Sequence, residues 1–367
     1  MPRALYIGLM SGTSLDGIDA VLADCSSRQP QLLAHQHSAF AGELRHELHL
    51  LQTPGWDDIG RGAIVAGHLT RAYADACLTL LRHTGVDAAE VQAIGVHGQT
   101  IRHRPDEGYT IQLNAPALLA ELTGIDVIAD FRSRDLAAGG QGAPLAPAFH
   151  AAVFATAHPR AIVNIGGMSN LTALIPTDTG QRIIGFDSGP GNVLLDAWAQ
   201  QHLGEPLDRD GAWAAGGHTD PKLLDALLSE PYFASPPPKS TGRERFNLEW
   251  LRSHLASRQL DARNIQATLT RLTARCIAQA IASHAPTVAD VLVCGGGSKN
   301  PTLMKMLAEE CAPRPVASTA TAGIDPEHVE ALAFAWLAQR FIEREHGNAP
   351  SVTGAEGKRI LGALYPA

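Results

Sequence analysis

Between Tyr6 and Asp19 the chain reads Tyr-Ile-Gly-Leu-Met-Ser-Gly-Thr-Ser-Leu-Asp-Gly-Ile-Asp, a stretch whose polar members suit anion chemistry. Ser11, Thr13 and Ser14 bring hydroxyls, and Asp16 and Asp19 bring carboxylates. Gly12 and Gly17 let the backbone take positive φ and bare successive N–H groups, which can cradle phosphate oxygens. The same residue types also make plain turns, so this loop alone leaves both readings open. Three further glycine-centred turns follow: Gly166-Gly-Met-Ser-Asn170, Asp187-Ser-Gly-Pro-Gly-Asn192 and Gly295-Gly-Gly-Ser-Lys-Asn300. The second of them leads into a predicted helix over 193–201, and a helix start preceded by glycines is an anion site. Asp208-Arg-Asp-Gly211 opens like a calcium loop but lacks the later ligands and closing Glu, so it reads as a turn before a helix.

The elements that must carry these turns are apolar runs on either side. Residues 4–9 and 18–23 read as a hairpin around the first turn, and 161–175 repeats the pattern of strand, glycine-rich polar turn and strand. That repetition has the shape of an internal duplication, with two backbone nests facing each other across a cleft. Residues 91–96 form a strand ending in His97-Gly-Gln-Thr100, 126–129 another, and 131–142 is too irregular for either element. Residues 182–186 and 290–294 are strands ahead of their glycine turns. Helices are predicted over 44–51, 60–81, 116–122, 264–283, 301–311 and 326–343. The Pro-rich segment 236–246 reads as a surface excursion, although Lys239, Arg243 and Arg245 could also meet an anionic ligand or a neighbouring subunit.

Composition narrows the classes. A chain of 367 residues is long enough for two domains. A net charge of -8 and a pI near 6.0 argue against nucleic acid as the main partner. Only 18% of residues are charged, while 35 Gly and 23 Pro fit a loop-rich α/β enzyme rather than a coiled coil or disordered chain. Five widely spaced cysteines, with no C-x-x-C pair, suit a reducing cytoplasm rather than a disulfide framework or structural zinc. No leader-like N-terminus or bilayer-length apolar run stands out, so the expected location is cytoplasmic.

The ordered set of four glycine turns resembles the actin and hexokinase superfamily of kinases. Within it, Met10-Ser-Gly-Thr-Ser-Leu-Asp-Gly17, Val96-His-Gly-Gln-Thr100, Ala138-Gly-Gly-Gln-Gly-Ala-Pro144, Asn164-Ile-Gly-Gly-Met-Ser-Asn170, Phe186-Asp-Ser-Gly-Pro-Gly-Asn192 and Lys239-Ser-Thr-Gly-Arg-Glu-Arg-Phe-Asn247 are similar to the anhydro-N-acetylmuramic acid kinases. The likeness runs through Leu361-Gly-Ala-Leu-Tyr365 and so spans essentially the whole chain. It implies an α/β fold of two duplicated actin-like (ribonuclease H-like) domains with an ATP cleft between them. The expected division is 1–140, which 345–367 can rejoin, and 141–344. It further implies a hinge near 139–146 and near the last helix, and a homodimer.

The implied reaction uses ATP and water to open the 1,6-anhydro ring of anhydro-N-acetylmuramic acid, giving N-acetylmuramic acid 6-phosphate and ADP in peptidoglycan recycling. The sugar has no free 6-hydroxyl, so its bridging oxygen takes the phosphoryl group only as water attacks the anomeric carbon. A carboxylate must take a proton from that water, and the resemblance points to Asp187. ATP is expected on Gly12, Thr13, Ser14, Leu15, Asp16, Gly17, Ile18 and Asp19 and on Gly166, Gly167 and Asn170, whose hairpins would grip its phosphates, and on Gly295, Gly296 and Gly297, whose turn would pack on adenosine. His97, Thr100, Arg132 and Glu330 are expected on the sugar, with Arg134 competing with Arg132 for its lactyl carboxylate. Many superfamily members place an Asp just ahead of the first turn, where Met10 and Ser11 stand here. Mg²⁺ is therefore expected on ATP oxygens and water, with no dedicated protein ligand and Asp16 or Asp19 at most in an outer shell. Rival readings are another sugar kinase or an acetate- or carbamoyl-type transferase of the same fold, and a non-catalytic nucleotide-dependent scaffold.

Overall fold

β1 (Leu5–Met10) and β2 (Gly17–Asp24) pair antiparallel with Met10 opposite Asp19, so the first glycine turn is the tip of a hairpin. The computed structural model describes residues 3–12, 14–178, 180–255 and 260–367. β3 (Gln31–Ala39) extends the hairpin beside β2, and β4 (Val91–Val96) lies parallel to β1 on its other side. β5 (Gln99–Arg104) and β6 (Tyr109–Leu113) form a separate two-stranded ribbon. β7 (Val127–Ala129) pairs parallel with β4, and the strand Ala363–Tyr365 closes that edge antiparallel to β7. The 27-residue helix Asp58–Thr84 buries Val65, Leu69, Tyr73 and Leu80 against this sheet. It starts at Asp57, whose carboxylate accepts from Gly60 N–H, and stops at Gly85 with φ 69°.

The second half builds the same sheet again. β8 (Arg160–Ile165) and β9 (Met168–Thr177) form a hairpin, β10 (Gly180–Pro190) pairs antiparallel with β9, and β11 (Asp290–Cys294) and β12 (Val316–Ser318) follow parallel to β8. The spatial order β10-β9-β8-β11-β12 reproduces β3-β2-β1-β4-β7, with the same two antiparallel and two parallel pairings. The duplication predicted from the repeated hairpin is thus present in the topology, and the chain is α/β in both halves. The helix Ala262–His284 covers this second sheet, burying Ala274, Ile277 and Ile281 against Val163, Ile165 and Leu171.

The chain divides into one compact unit of Met1–Val153 with His328–Ala367, and a second of Phe154–Glu327. These limits differ from 140/141 and 344/345, and the last long helix is the reason for the second difference. Val329–Ile342 packs on β1 and β4 of the first unit. Gly8 and Gly95, side by side in the β1–β4 register, admit it. A Cβ on Gly8 would run into the Ala331 carbonyl and stand 2.7 Å from Ala335 N, and one on Gly95 would strike the Phe334 carbonyl. The helix backbone rests directly on the strand backbones. All five cysteines are buried free thiols. Among the described residues, no helix is long and apolar enough to cross a membrane.

Gly8→Ala should therefore destabilise the fold by about 2 kcal/mol or more through overpacking. Gly67→Ala, in the interior of Asp58–Thr84 with nothing within 4 Å of the added methyl, should stabilise by about 0.5–1 kcal/mol. Thermal unfolding should move the two midpoints in opposite directions.

Candidate active site

The first hairpin tip is a tight turn. Gly12 O accepts from Leu15 N at 3.2 Å and from the Gln99 side chain at 3.1 Å, while Leu15 sits at φ 59° with its side chain buried. Ser11 is buried, its hydroxyl 2.6 Å from that of Tyr73. Ser14 donates to Asp16 at 2.9 Å on the surface. Ile18 lies in the core, so it and Leu15 can meet a ligand only through backbone. Thr13 lies outside the described residues. Asp19 accepts from His37 Nδ1 at 2.9 Å and lies 3.3 Å from His35 Nε2. Burial pushes its carboxyl up, but the hydrogen bonds and charge of the two histidines outweigh burial and hold it below the usual range.

One residue past the end of β4, His97 carries its N–H to Leu9 O at 3.1 Å. Its ring is buried, 4.9 Å from that of Phe334, and its Nε2 receives Arg132 Nε at 3.1 Å and Nη2 at 2.8 Å. A guanidinium only donates, so Nε2 is the acceptor and the ring proton sits on Nδ1. Burial, then the Arg132 charge, hold His97 well below its ordinary pKa, against an opposing pull from the backbones of Gly98 and Ser11. Arg132 also donates Nη1 to Gly142 O at 2.7 Å. Burial lowers it to about 10, opposed by the charges of Glu330 and Asp135.

The structure thus brings His97, Arg132 and the charge of Glu330 together. Arg134 stands exposed on the short helix Ser133–Leu136, and Thr100 on β5 accepts from Gln112 at 3.2 Å. Sequence reasoning missed Asp135, fully buried in the 131–142 passage. It accepts from Gly142 N–H and Asn348 at 2.8 Å and Thr353 at 2.9 Å, fixing the loop that carries Arg132 to the C-terminal segment.

In the second unit the hairpin tip is tied down differently. Gly166 O accepts from Asn192 N at 2.8 Å, and Gly167 O from Gly191 N at 2.9 Å and Val193 N at 3.1 Å. These carbonyls engage the amides of Gly191, Asn192 and Val193, so an anion site at the start of the helix Val193–Leu203 would have to use the amides of Leu194 and Leu195. Gly295, at φ 80°, and Gly297 press on the end of β8, where side chains would strike Asn164 and Ile165, whereas a Cβ on Gly296 would meet only Asn192 Nδ2 within 4 Å, at 4.0 Å. Asp208 accepts from Trp213 N at 2.8 Å and Ala214 N at 2.9 Å, so it serves a turn before a helix.

Asp187 lies on β10 rather than in a turn beyond it, opposite Asn170 at a register shift before Gly189. Asn170 Nδ2 donates to its Oδ1 at 3.2 Å and Thr241 N–H to its Oδ2 at 3.0 Å. Burial raises the carboxyl to about 6; those two donors lower it and the Glu244 charge adds to the rise. A carboxylate titrating near neutrality, with lone pairs left over, can take a proton from water. The Pro-rich segment turns Lys239 inward, where it donates to Tyr232 O and Phe233 O, both at 3.1 Å, while the exposed Arg245 pairs with Glu230 at 3.3 Å. Among the described residues no cluster of three or more His, Cys, Asp or Glu could hold a metal ion.

The family model described as anhydro-N-acetylmuramic acid kinase matches residues 4–367. A protein of that name from Bordetella petrii is 56% identical over 371 residues, covering 100% of this chain and 97% of its own. One from Burkholderia orbicola is 55% identical, covering 99% and 96%. Among solved structures, the activator of 2-hydroxyisocaproyl-CoA dehydratase from Clostridium difficile with bound ADPNP gives a TM-score of 0.47 at 14% identity, covering 93% and 96%. A ROK family glucokinase from Streptomyces griseus, in complex with glucose and AMPPNP, gives 0.40 at 15%, covering 91% and 99%.

Burial and the donor set around His97 favour its neutral imidazole. Its ¹⁵N spectrum should show the Nδ1–H tautomer at neutral pH, with protonation displaced well below the ordinary histidine range; a ring titrating at its ordinary value would contradict the pairing with Arg132.

Proposed function

The chain belongs to the anhydro-N-acetylmuramic acid kinase family, and we propose that it performs that reaction with Asp187 as the base. Asp187 takes a proton from a water molecule as the water oxygen bonds to the anomeric carbon. The C1–O6 bond breaks, and O6 bonds to the γ-phosphorus of ATP as ADP leaves. The products are N-acetylmuramic acid 6-phosphate and ADP, which places the enzyme in peptidoglycan recycling. The observation that carries the reading is a carboxylate held on both oxygens by neutral donors and raised to about 6, basic at neutral pH and oriented before substrate arrives.

Arg132 is our assignment for the lactyl carboxylate. Three of its five N–H groups are engaged by His97 and Gly142, which leaves one on each terminal nitrogen. Two parallel donors of that kind suit a carboxylate. Glu330, His97 and Thr100 are assigned to the sugar's polar groups, and the glycine turns of both hairpins, with Gly296, to ATP. Asp19 is engaged by two histidines, and no step is assigned to Mg²⁺. It would arrive with the nucleotide, whose oxygens and waters suffice to hold it. A cytoplasmic homodimer completes the reading; cysteines that form no disulfide favour the first part and family habit the second.

With ATP, Mg²⁺ and the anhydro-sugar in ¹⁸O-water, label should appear at the anomeric hydroxyl and not in phosphate. Asp187→Asn should lose about 10²–10⁴ in kcat. Because the base form is required, kcat/KM should fall as pH drops through about 6. Wild-type turnover in Asp187→Asn would end the proposal. Arg132→Lys should raise KM for the sugar roughly tenfold or more through loss of the fork, while Arg134→Ala leaves it within about twofold.

A further inference from the structure

Asp187's second donor does not come from a regular element. Thr241 N–H belongs to the segment 235–247, which has neither helix nor strand of its own. What keeps that segment over β10 is a short set of bonds around one lysine. Asp187 N donates to Lys239 O at 3.1 Å, extending the strand's bonding onto the loop. The Lys239 ammonium turns inward to the carbonyls of Tyr232 and Phe233, at the end of the short helix Pro231–Ala234. It also lies 4.7 Å from the centre of the Tyr232 ring and 5.6 Å from that of Phe186. Tyr232 in turn donates its hydroxyl to Asp187 O at 2.7 Å. Gly189 abuts Phe233, where a Cβ would stand 2.8 Å from the ring, and Phe233 stacks on Phe246 at 5.5 Å. The loop is therefore gripped before and after Thr241.

We infer that Lys239 and Tyr232 are positioning residues for Asp187: together they staple residues 239–241 to β10 and so hold the Thr241 N–H on the base. This rests on the functional reading above and deepens it. Lys239 works through the chain it holds. The charge that bears directly on Asp187 is Glu244, on the same segment, and it pushes the carboxyl the other way. The remaining groups facing this staple are Arg245, over the Tyr232 ring at 5.2 Å, and, from the helix Ala262–His284, Cys276 beside Lys239 and His284 edge-on to Phe186. Asn170, on β9, would hold Oδ1 whether or not the staple is closed. Without the staple, the carboxylate loses one of two donors to its charged form, which makes it harder to ionise.

The test is the pH profile of kcat/KM for the anhydro-sugar in wild type, Lys239→Met and Tyr232→Phe. Lys239→Met keeps the apolar stem but removes the three donors. Its acidic limb should move to higher pH by roughly half to one unit, so that the deficit at pH 6 exceeds that at pH 8.5 by about 2–5-fold, with KM for ATP within about twofold. Tyr232→Phe should move the limb in the same direction by less. A folded Lys239→Met whose limb coincides with wild type overturns the inference, even if its rate is uniformly lower. If Lys239→Met does not fold, an unmoved limb in Tyr232→Phe overturns it. Wild-type enzyme that leaves the anhydro-sugar untouched would overturn the functional reading, and this inference with it; a working wild type with unmoved limbs defeats the staple alone.

Discussion

The helix Val329–Ile342 touches the first sheet backbone to backbone, and that approach exists only because β1 and β4 each carry a glycine at the same level. Side chains there would hold the helix away by the thickness of a methyl layer. Because it sits so close, Phe334 lies against the rings of His97 and Phe131, and Glu330 brings its charge to bear on Arg132. The buried His97–Arg132 pair depends on this arrangement. An arginine pressed against a neutral imidazole would be costly if it were not hydrogen-bonded at His97 and Gly142 and opposed by acidic charge.

The two units share a topology but use their hairpin tips differently. In the first, Ser11 is bound to Tyr73 and Gly12 to Gln99, so the tip is fixed from below and its exposed face keeps Ser14 and Asp16. In the second, the carbonyls of Gly166 and Gly167 hold the start of the following helix, and Gly295 and Gly297 close over the end of β8. Duplication thus supplied the frame and divergence the detail. Asp187 belongs to that divergence: its counterpart region on β3 is a partly exposed edge, whereas β10 carries a carboxylate gripped by neighbours 17 and 54 residues away.

Much of this was legible from local pattern. Alternating apolar runs around glycine turns located both hairpins, and the amphipathic stretches at 60–81 and 264–283 became the helices Asp58–Thr84 and Ala262–His284. What escaped was whatever depended on distant partners. The last helix was assigned to the second half because nothing in 326–343 says that Gly8 and Gly95 make room for it. The donors to Asp187, the histidines on Asp19 and the anchoring of the 131–142 passage by Asp135 join residues far apart in the chain, and no spacing rule reveals them. At the helix start a sequence shows that amides exist, not that the carbonyls of Gly166 and Gly167 already hold those of residues 191–193.

The deep placement of every thiol carries a practical consequence. Burial pushes Cys25 and Cys77 up to about 12 and Cys311 up to about 11, and Cys276 rises for the same reason. Alkylating reagents attack the thiolate, so the folded chain offers them almost nothing. A single cysteine introduced on an exposed loop would carry a fluorophore or spin label alone, with no native thiol to remove first. Left unmodified, the five native sulfurs become a clock: each alkylation event records a moment when part of the interior opened.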